Sequence, residues 1–209
     1  SLASLNRPHL QQRYDGSRVM VGALPTGCVP SDPGTQMLSV FWSLPVSAMS
    51  HWQSERFDLN AWKNEVVSLW PELSPLISGI QSPSELLPAT YRDVIMSRWG
   101  AGRIGVIGDA AHAMSPQLGQ GANMALLDAS AMAASVAASH DWESVWAQFA
   151  ASRGGSIRFY QRMSRLLTPL FQSSIVGAAF VRDVALPVSH LLPWVRQQMA
   201  ETVAGRKKK

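Results

Sequence analysis

Asp109 follows Gly108 at the end of a short apolar run, Ile104, Val106 and Ile107. Such a run suits a buried strand, and glycine tolerates the unusual backbone angles needed where a strand ends abruptly. A carboxylate at that point can accept hydrogen bonds from sugar-like hydroxyls. Farther along, Pro116 stiffens a loop and withholds a donor, while Gly119 and Gly121 have no side chain to keep a flat ring off the backbone. Residues 122–139 then read as an apolar helix. Its first amides, beginning at Ala122 and Asn123, point at whatever the loop holds, and a helix N-terminus favours negative charge. Asn123 also has the residue type of a helix cap. His112 reads as a packed or loop residue rather than a catalyst.

The elements that must position these residues come from the flanking patterns. Residues 94–99 and 103–107 read as two strands, so Gly100, Gly102 and Gly105 sit in a hairpin turn. Their spacing matches the GxGxxG fingerprint, but that motif needs a strand before it and a helix opening after it, and the order here is wrong. Upstream, residues 18–24 and 37–44 read as antiparallel strands joined by a loop over 25–34. Asp15 and Gly16 form another hairpin turn. Asp58 caps a helix on which Leu59, Trp62, Val66 and Leu69 recur at helical spacing until Pro71 ends it. Beyond the central motif, Asp141 is a second N-cap, and Val145, Trp146 and Phe149 continue a helical stripe expected to break or kink near Gly154 and Gly155. Arg158, Arg162 and Arg165 fall on one face and read as a solvated helix surface.

Composition narrows the class. The chain has 209 residues, 46% of them hydrophobic, enough for one or two globular domains. Of its net charge of +4, the tail residues Arg206, Lys207, Lys208 and Lys209 account for all, so the basic balance gives no reason to expect a nucleic-acid partner. Cys28 is the single cysteine and cannot form an internal disulfide; with no signal peptide at Ser1, a cytoplasmic setting is the default. Residues 166–195 are apolar, but Pro169, Arg182, Asp183, Pro187, His190 and Pro193 interrupt them, leaving no run near the ~20 residues a span needs. Short amphipathic helices are expected there, lying on a membrane surface or against a partner. No Cys/His cluster indicates a metal.

The string Gly108-Asp109-Ala-Ala-His112, then Pro116, Gly119, Gly121, Asn123 and Asp128, resembles the second FAD-binding motif of the flavoprotein aromatic hydroxylases, the family with the para-hydroxybenzoate hydroxylase fold. The resemblance implies an α/β fold with α+β character in the substrate part. This would comprise a partial FAD/NAD(P)-binding domain, an antiparallel substrate-domain sheet and C-terminal helices. Residues 1–95 correspond to the second half of a substrate domain, 96–140 to the C-terminal part of the FAD-binding domain, and 141–209 to a helical region with a basic tail. It implies FAD as cofactor, NADH or NADPH as reductant, and transfer of oxygen to an electron-rich, often aromatic or quinone-like small molecule. Asp109 is the implied ribityl contact, Pro116 packs beside the ring, and Gly108, Gly119, Gly121, Ala122 and Asn123 complete the cradle. The flavin carries the hard step, so no catalytic side chain is assigned.

The family's strand-GxGxxG-helix unit, which holds the ADP half, has no counterpart in residues 1–100. The chain is therefore expected to be the C-terminal portion of a hydroxylase, completed by a nucleotide-binding segment or another chain, and to form an oligomer or a complex. Two other readings remain open: a reductase or dehydrogenase of the same fold, and a non-catalytic interaction module. Phe41, Trp42, Trp52, Trp62, Trp70 and Tyr91 are mostly core. Phe41 and Trp42 form the pair to test for substrate contact, since alternation along a strand sends the two rings to opposite faces.

Overall fold

The computed structural model describes residues 5, 9–45, 47, 49–52, 54, 56–189 and 191–204. The basic tail and His190 lie outside them. The chain combines helices with small antiparallel sheets, as expected, and divides into two compact units: Ser1–Thr90 with Pro169–Phe180, and Tyr91–Thr168 with Val181–Lys209.

The first unit is built on a three-stranded antiparallel meander, β1 (Gln11–Asp15), β2 (Val19–Val29) and β3 (Asp32–Ser43), in that spatial order. Asp15 and Gly16 make the expected hairpin turn, with Gly16 at φ 57°. The loop expected over 25–34 is instead mostly strand. Pairing of β1 to β2 ends at Gln11 and Ala23, so Pro25 lies where β2 has a neighbour on one side only. A register shift between Pro25 and Gly27, with Gly27 at φ 84°, absorbs the mismatch.

One helical turn, α1 (Met49–Trp52), precedes α2 (Leu59–Leu69). Asp58 caps α2 as expected, its carboxylate accepting from the amides of Asn60 at 2.8 Å and Ala61 at 3.0 Å. Trp62 and Val66 are buried while Leu59 and Leu69 flank them, which is the face the spacing predicts. Pro71 opens a 3-10 turn leading to α3 (Ser74–Ile77). The core joins Val21 and Ala23 of β2 to Trp62, Val66, Trp70, Leu73 and Ile77. Edge-on packing of Trp42 and Trp52 against Trp62 extends it.

In the second unit the strands expected over 94–99 and 103–107 shrink to β4 (Gly100–Ala101) and β5 (Ile104–Gly105), paired around Gly102 at φ 53°. The hairpin is confirmed, but no third strand joins it among the described residues, and Ile104 is 81% exposed rather than buried. Single backbone bonds, Val94 N–H to Ala113 and Val106 N–H to Trp99, hold the flanking segments.

Trp146 explains the glycines. A Cβ at Gly100 or Gly105 would stand 2.1 Å from its indole, and its Nε1 donates to the Gly102 carbonyl at 3.0 Å. The pattern that mimics a dinucleotide loop is thus a seat for an aromatic ring.

Helices α4 (Asp109–His112), α5 (Gly121–Ala138) and α6 (Trp142–Phe171) follow. Asp141 caps α6 as expected, accepting from Ser144 N–H at 2.9 Å. No break occurs at Gly154 and Gly155. Two interior glycines cost about 1 kcal/mol each, but Phe149, Ile157 and Tyr160 are buried on this helix, and a Cβ at Gly154 would stand 3.4 Å from Trp99. The chain ends in α7 (Ala178–Ser189) and α8 (Pro193–Val203); no helix is long and apolar enough to cross a membrane, among the described residues.

Two substitutions check this account by thermal or denaturant unfolding. Gly105→Ala is expected to cost about 1–3 kcal/mol by overpacking against Trp146 and the Trp99 carbonyl; an unchanged midpoint would refute the seat. Asp58→Ala is expected to cost about 1 kcal/mol through loss of the cap, and a neutral result would show that other contacts fix the start of α2.

Candidate functional site

The centre of the site is a turn that only glycine fits. Gly108 has φ 61° and ψ −144°, and a Cβ there would meet the Ala125 methyl at 3.2 Å. From it the chain enters α4 at Asp109, whose side chain stays at the surface. Asp109 Oδ1 lies 3.6 Å from where a Cβ on Gly121 would stand, so the acid at the turn and the first residue of α5 share one spot. Between them, Pro116–Leu118 form a 3-10 turn closed by Gly119 in the left-handed region at φ 61°, with open space where its side chain would be. The Ser164 hydroxyl on α6 holds this loop by donating to the Ser115 carbonyl at 2.8 Å.

α5 begins without a side-chain cap. Gln120, at the cap position, is 7% exposed and spends its amide elsewhere: Nε2 donates to the Val203 carbonyl of α8 at 2.7 Å, and Oε1 accepts from Asn123 Nδ2 at 2.9 Å. Asn123 therefore does not cap the helix. The first amides of α5 remain available to a ligand, beside exposed Ala122 and half-buried Gly121. Gly108, Asp109, Pro116, Gly119, Gly121, Ala122 and Asn123 thus lie around one turn and one helix start.

Beneath the turn is a buried polar cluster. Asp128, two turns into α5 and 0% exposed, accepts hydrogen bonds from Gly108 N–H at 3.0 Å, His112 Nε2 at 2.5 Å and Arg153 Nε at 2.7 Å. Since a carboxylate only accepts, His112 carries its hydrogen on Nε2 in this contact. Burial alone would push the Asp128 carboxyl up, but the bonds from His112, Arg153 and Gly108 together outweigh it and hold it below the usual carboxylate range. Arg153 also reaches the Met124 carbonyl at 3.5 Å. His112 is the packed residue that the sequence predicts.

Arg153 and Gln120 were not anticipated. One signal existed for the arginine: it falls four residues after Phe149 and four before Ile157, on the buried face of α6, where an unpartnered cation would be costly. Nothing in the sequence marks Gln120.

In the first unit, Phe41 and Trp42 do face opposite ways. Trp42 packs against Trp62 at 6.4 Å between ring centres, within the core. Phe41 lies across Gly22, its strand partner, where a Cβ would be 2.1 Å from the ring. Trp52, Trp62 and Trp70 belong to the core, while Tyr91 is 58% exposed. Arg165 pairs with Asp93 at 2.6 Å on the surface, and Arg158 and Arg162 are exposed. No group of metal-ligating side chains occurs among the described residues.

Comparison with known proteins fits this arrangement. The family model described as the FAD binding domain matches residues 32–146, over half the chain. Curated relatives include the putative 2-heptyl-3-hydroxy-4(1H)-quinolone synthase AqdB1 of Rhodococcus erythropolis, 35% identical over 37% of this chain and 22% of that protein. Another is kynurenine 3-monooxygenase of Xanthomonas euvesicatoria, 32% identical over 65% of this chain and 30% of that protein. Among solved structures, Klebsiella pneumoniae HpxO, complexed with FAD and uric acid, superposes with a TM-score of 0.60 and 18% identity, over 94% of this chain and 46% of that one; at this identity the likeness concerns the fold. The chain spans less than a third of these curated relatives and under half of that structure. With the glycine turn, the surface carboxylate and the uncapped helix falling inside the matched region, the chain belongs to the FAD binding domain family.

Proposed function

We propose that this chain is the flavin-contacting portion of an FAD-dependent monooxygenase that oxygenates an electron-rich, aromatic or quinone-like small molecule. The observation that carries the reading is the meeting of the Asp109 carboxylate with the uncapped N-terminus of α5, at 3.6 Å from the Cβ position of Gly121. The fit to FAD is one of donor chemistry. A surface carboxylate suits ribityl hydroxyls, side-chain-free Gly119 and Gly121 admit a flat ring, and free helix amides stabilise negative charge on its pyrimidine edge.

Pro116 would pack beside the ring, and Gly108 would aim Asp109. When bound, FAD supplies the redox chemistry, taking electrons from NADH or NADPH and passing them to O2. The described residues of the site would bind and orient the ring, and no acid, base or nucleophile is assigned among them. Residues 1–95 would supply part of the substrate domain, with half-buried Phe41 on the face turned to substrate and Trp42 on the opposite face, packed in the core. Residues 96–140 would carry the flavin cradle, and 141–209 the helical region. The quinolone and kynurenine relatives and the uric acid complex support a nitrogen-bearing aromatic substrate.

Exposed Val176, Leu191 and Trp194 on the C-terminal segment further support a complex or oligomer as the working form.

Titration of flavin fluorescence tests the reading. Because the residues here address the ring and ribityl chain, riboflavin and FAD are expected to bind with affinities within about threefold of each other, a gap of under 1 kcal/mol. Asp109→Ala is expected to weaken both by about tenfold or more, the loss of a charged hydrogen bond, without lowering the unfolding midpoint. A chain that binds neither flavin would favour the non-catalytic module. In the complete enzyme, NAD(P)H oxidation with no oxygen incorporated into product would move it to the reductase reading.

A further inference from the structure

The exposed cradle residues account for ligand contact, but they do not explain why a fully buried ionic cluster lies directly below them. Gly121, Met124, Ala125 and Asp128 lie along one side of α5. Gly121 meets Asp109, Ala125 meets Gly108, Met124 is 1% exposed and Asp128 is 0% exposed. That stripe docks α5 onto the turn that precedes the surface carboxylate. Asp128 supplies the only ionic contact in the stripe, with one oxygen on Gly108 N–H and His112 Nε2 and the other on Arg153 Nε. Its three donors come from the turn, from α4 and from α6.

Both ends of Asp109's local backbone are therefore tied to one carboxylate, through Gly108 before it and His112 after it. That carboxylate is in turn oriented by a guanidinium from a helix outside the motif. Arg153 is 7% exposed and its second contact, to the Met124 carbonyl, fixes it against the same helix. An uncharged neighbour would leave Oδ1 of Asp128 without a donor and the carboxylate held through Oδ2 alone, loosening the register of the turn with α5.

We propose that Arg153, acting through Asp128, is a positioning residue for the flavin cradle: it fixes the carboxylate that holds the Gly108 to His112 turn, and so sets the place of Asp109 relative to the amides of α5. The proposal rests on the flavin reading above and assigns to α6 a role in cofactor geometry that the exposed residues alone do not contain.

The test uses the full chain and three proteins: wild type, Arg153→Met, and the double variant Asp128→Asn with Arg153→Met. Amide hydrogen exchange of residues 104–118 reads the lock without any flavin, and riboflavin and FAD titration with the visible flavin spectrum reads its consequence. Arg153→Met is expected to raise exchange at the turn, lower the unfolding midpoint and weaken flavin binding by about tenfold.

The double variant removes both charges, so its unfolding midpoint is expected to recover toward wild type, since a neutral pair no longer buries an isolated ion. Its flavin affinity and spectrum are expected to stay altered. If flavin binding recovers together with the midpoint, Arg153 is merely structural and the proposal fails. Unchanged exchange at the turn in Arg153→Met also overturns it. Failure of the flavin reading would look different: wild type itself would bind no flavin, whatever the exchange pattern.

Discussion

Taking a carboxylate out of water costs several kcal/mol unless donors replace the lost hydration. The Asp128 carboxylate is replaced in full, by a backbone amide, an imidazole and a guanidinium from three different elements. Because each donor is useful only in one position, satisfying this single anion dictates where the Gly108 turn, α4 and α6 must lie around α5. The surrounding apolar packing of Met124, Ile157 and Tyr160 adds stability but little direction. A carboxylate with directed donors supplies the direction. The polar tie from Gln120 to Val203 and the hydroxyl of Tyr160 donating to the Thr202 carbonyl at 2.8 Å secure α8 in the same manner.

A division of labour follows within the motif. Two acids stand on either side of the same turn and do opposite things. Asp109 is left in water, where its lone pairs are available, and Asp128 is spent entirely on the protein. Their environments separate them although both are aspartates in one short stretch. The glycines divide similarly: Gly108 and Gly119 are chosen for backbone angle, while Gly100 and Gly105 are chosen for the space an indole occupies.

Much of this was legible where the physics is local. The cap at Asp58, the stripe of Trp62 and Val66, the start of α5 and the hairpin at Gly102 depend on neighbours in sequence, and each was anticipated. The grouping of Gly108, Asp109, Pro116, Gly119 and Gly121 at one turn and one helix start was legible too, because these residues sit in an unusual string. What escaped depends on contacts between distant residues. Gly154 and Gly155 argue for a break, yet burial of one face of α6 carries the helix through them. Pro25 and Gly27 argue for a loop, yet a bulge keeps β2 and β3 paired past them. The apolar run at Ile104 argues for a buried strand, yet only two residues pair on each side of the turn. Arg153 is the plainest case: its partner lies on another helix, and its side chain is informative only once Asp128 is seen facing it.

Trp146 carries an evolutionary consequence. Gly100 is fixed not by its own backbone but by the ring resting on it, and Gly105 by that ring together with the Trp99 carbonyl, which would stand 2.9 Å from an added Cβ. The three positions must therefore drift together. Shrinking the tryptophan would free Gly100 to vary, while Gly105 would still face the Trp99 carbonyl. The fingerprint-like spacing of the hairpin thus reflects a coupling between a loop and a helix, and its likeness to a nucleotide-binding loop is one of spelling alone.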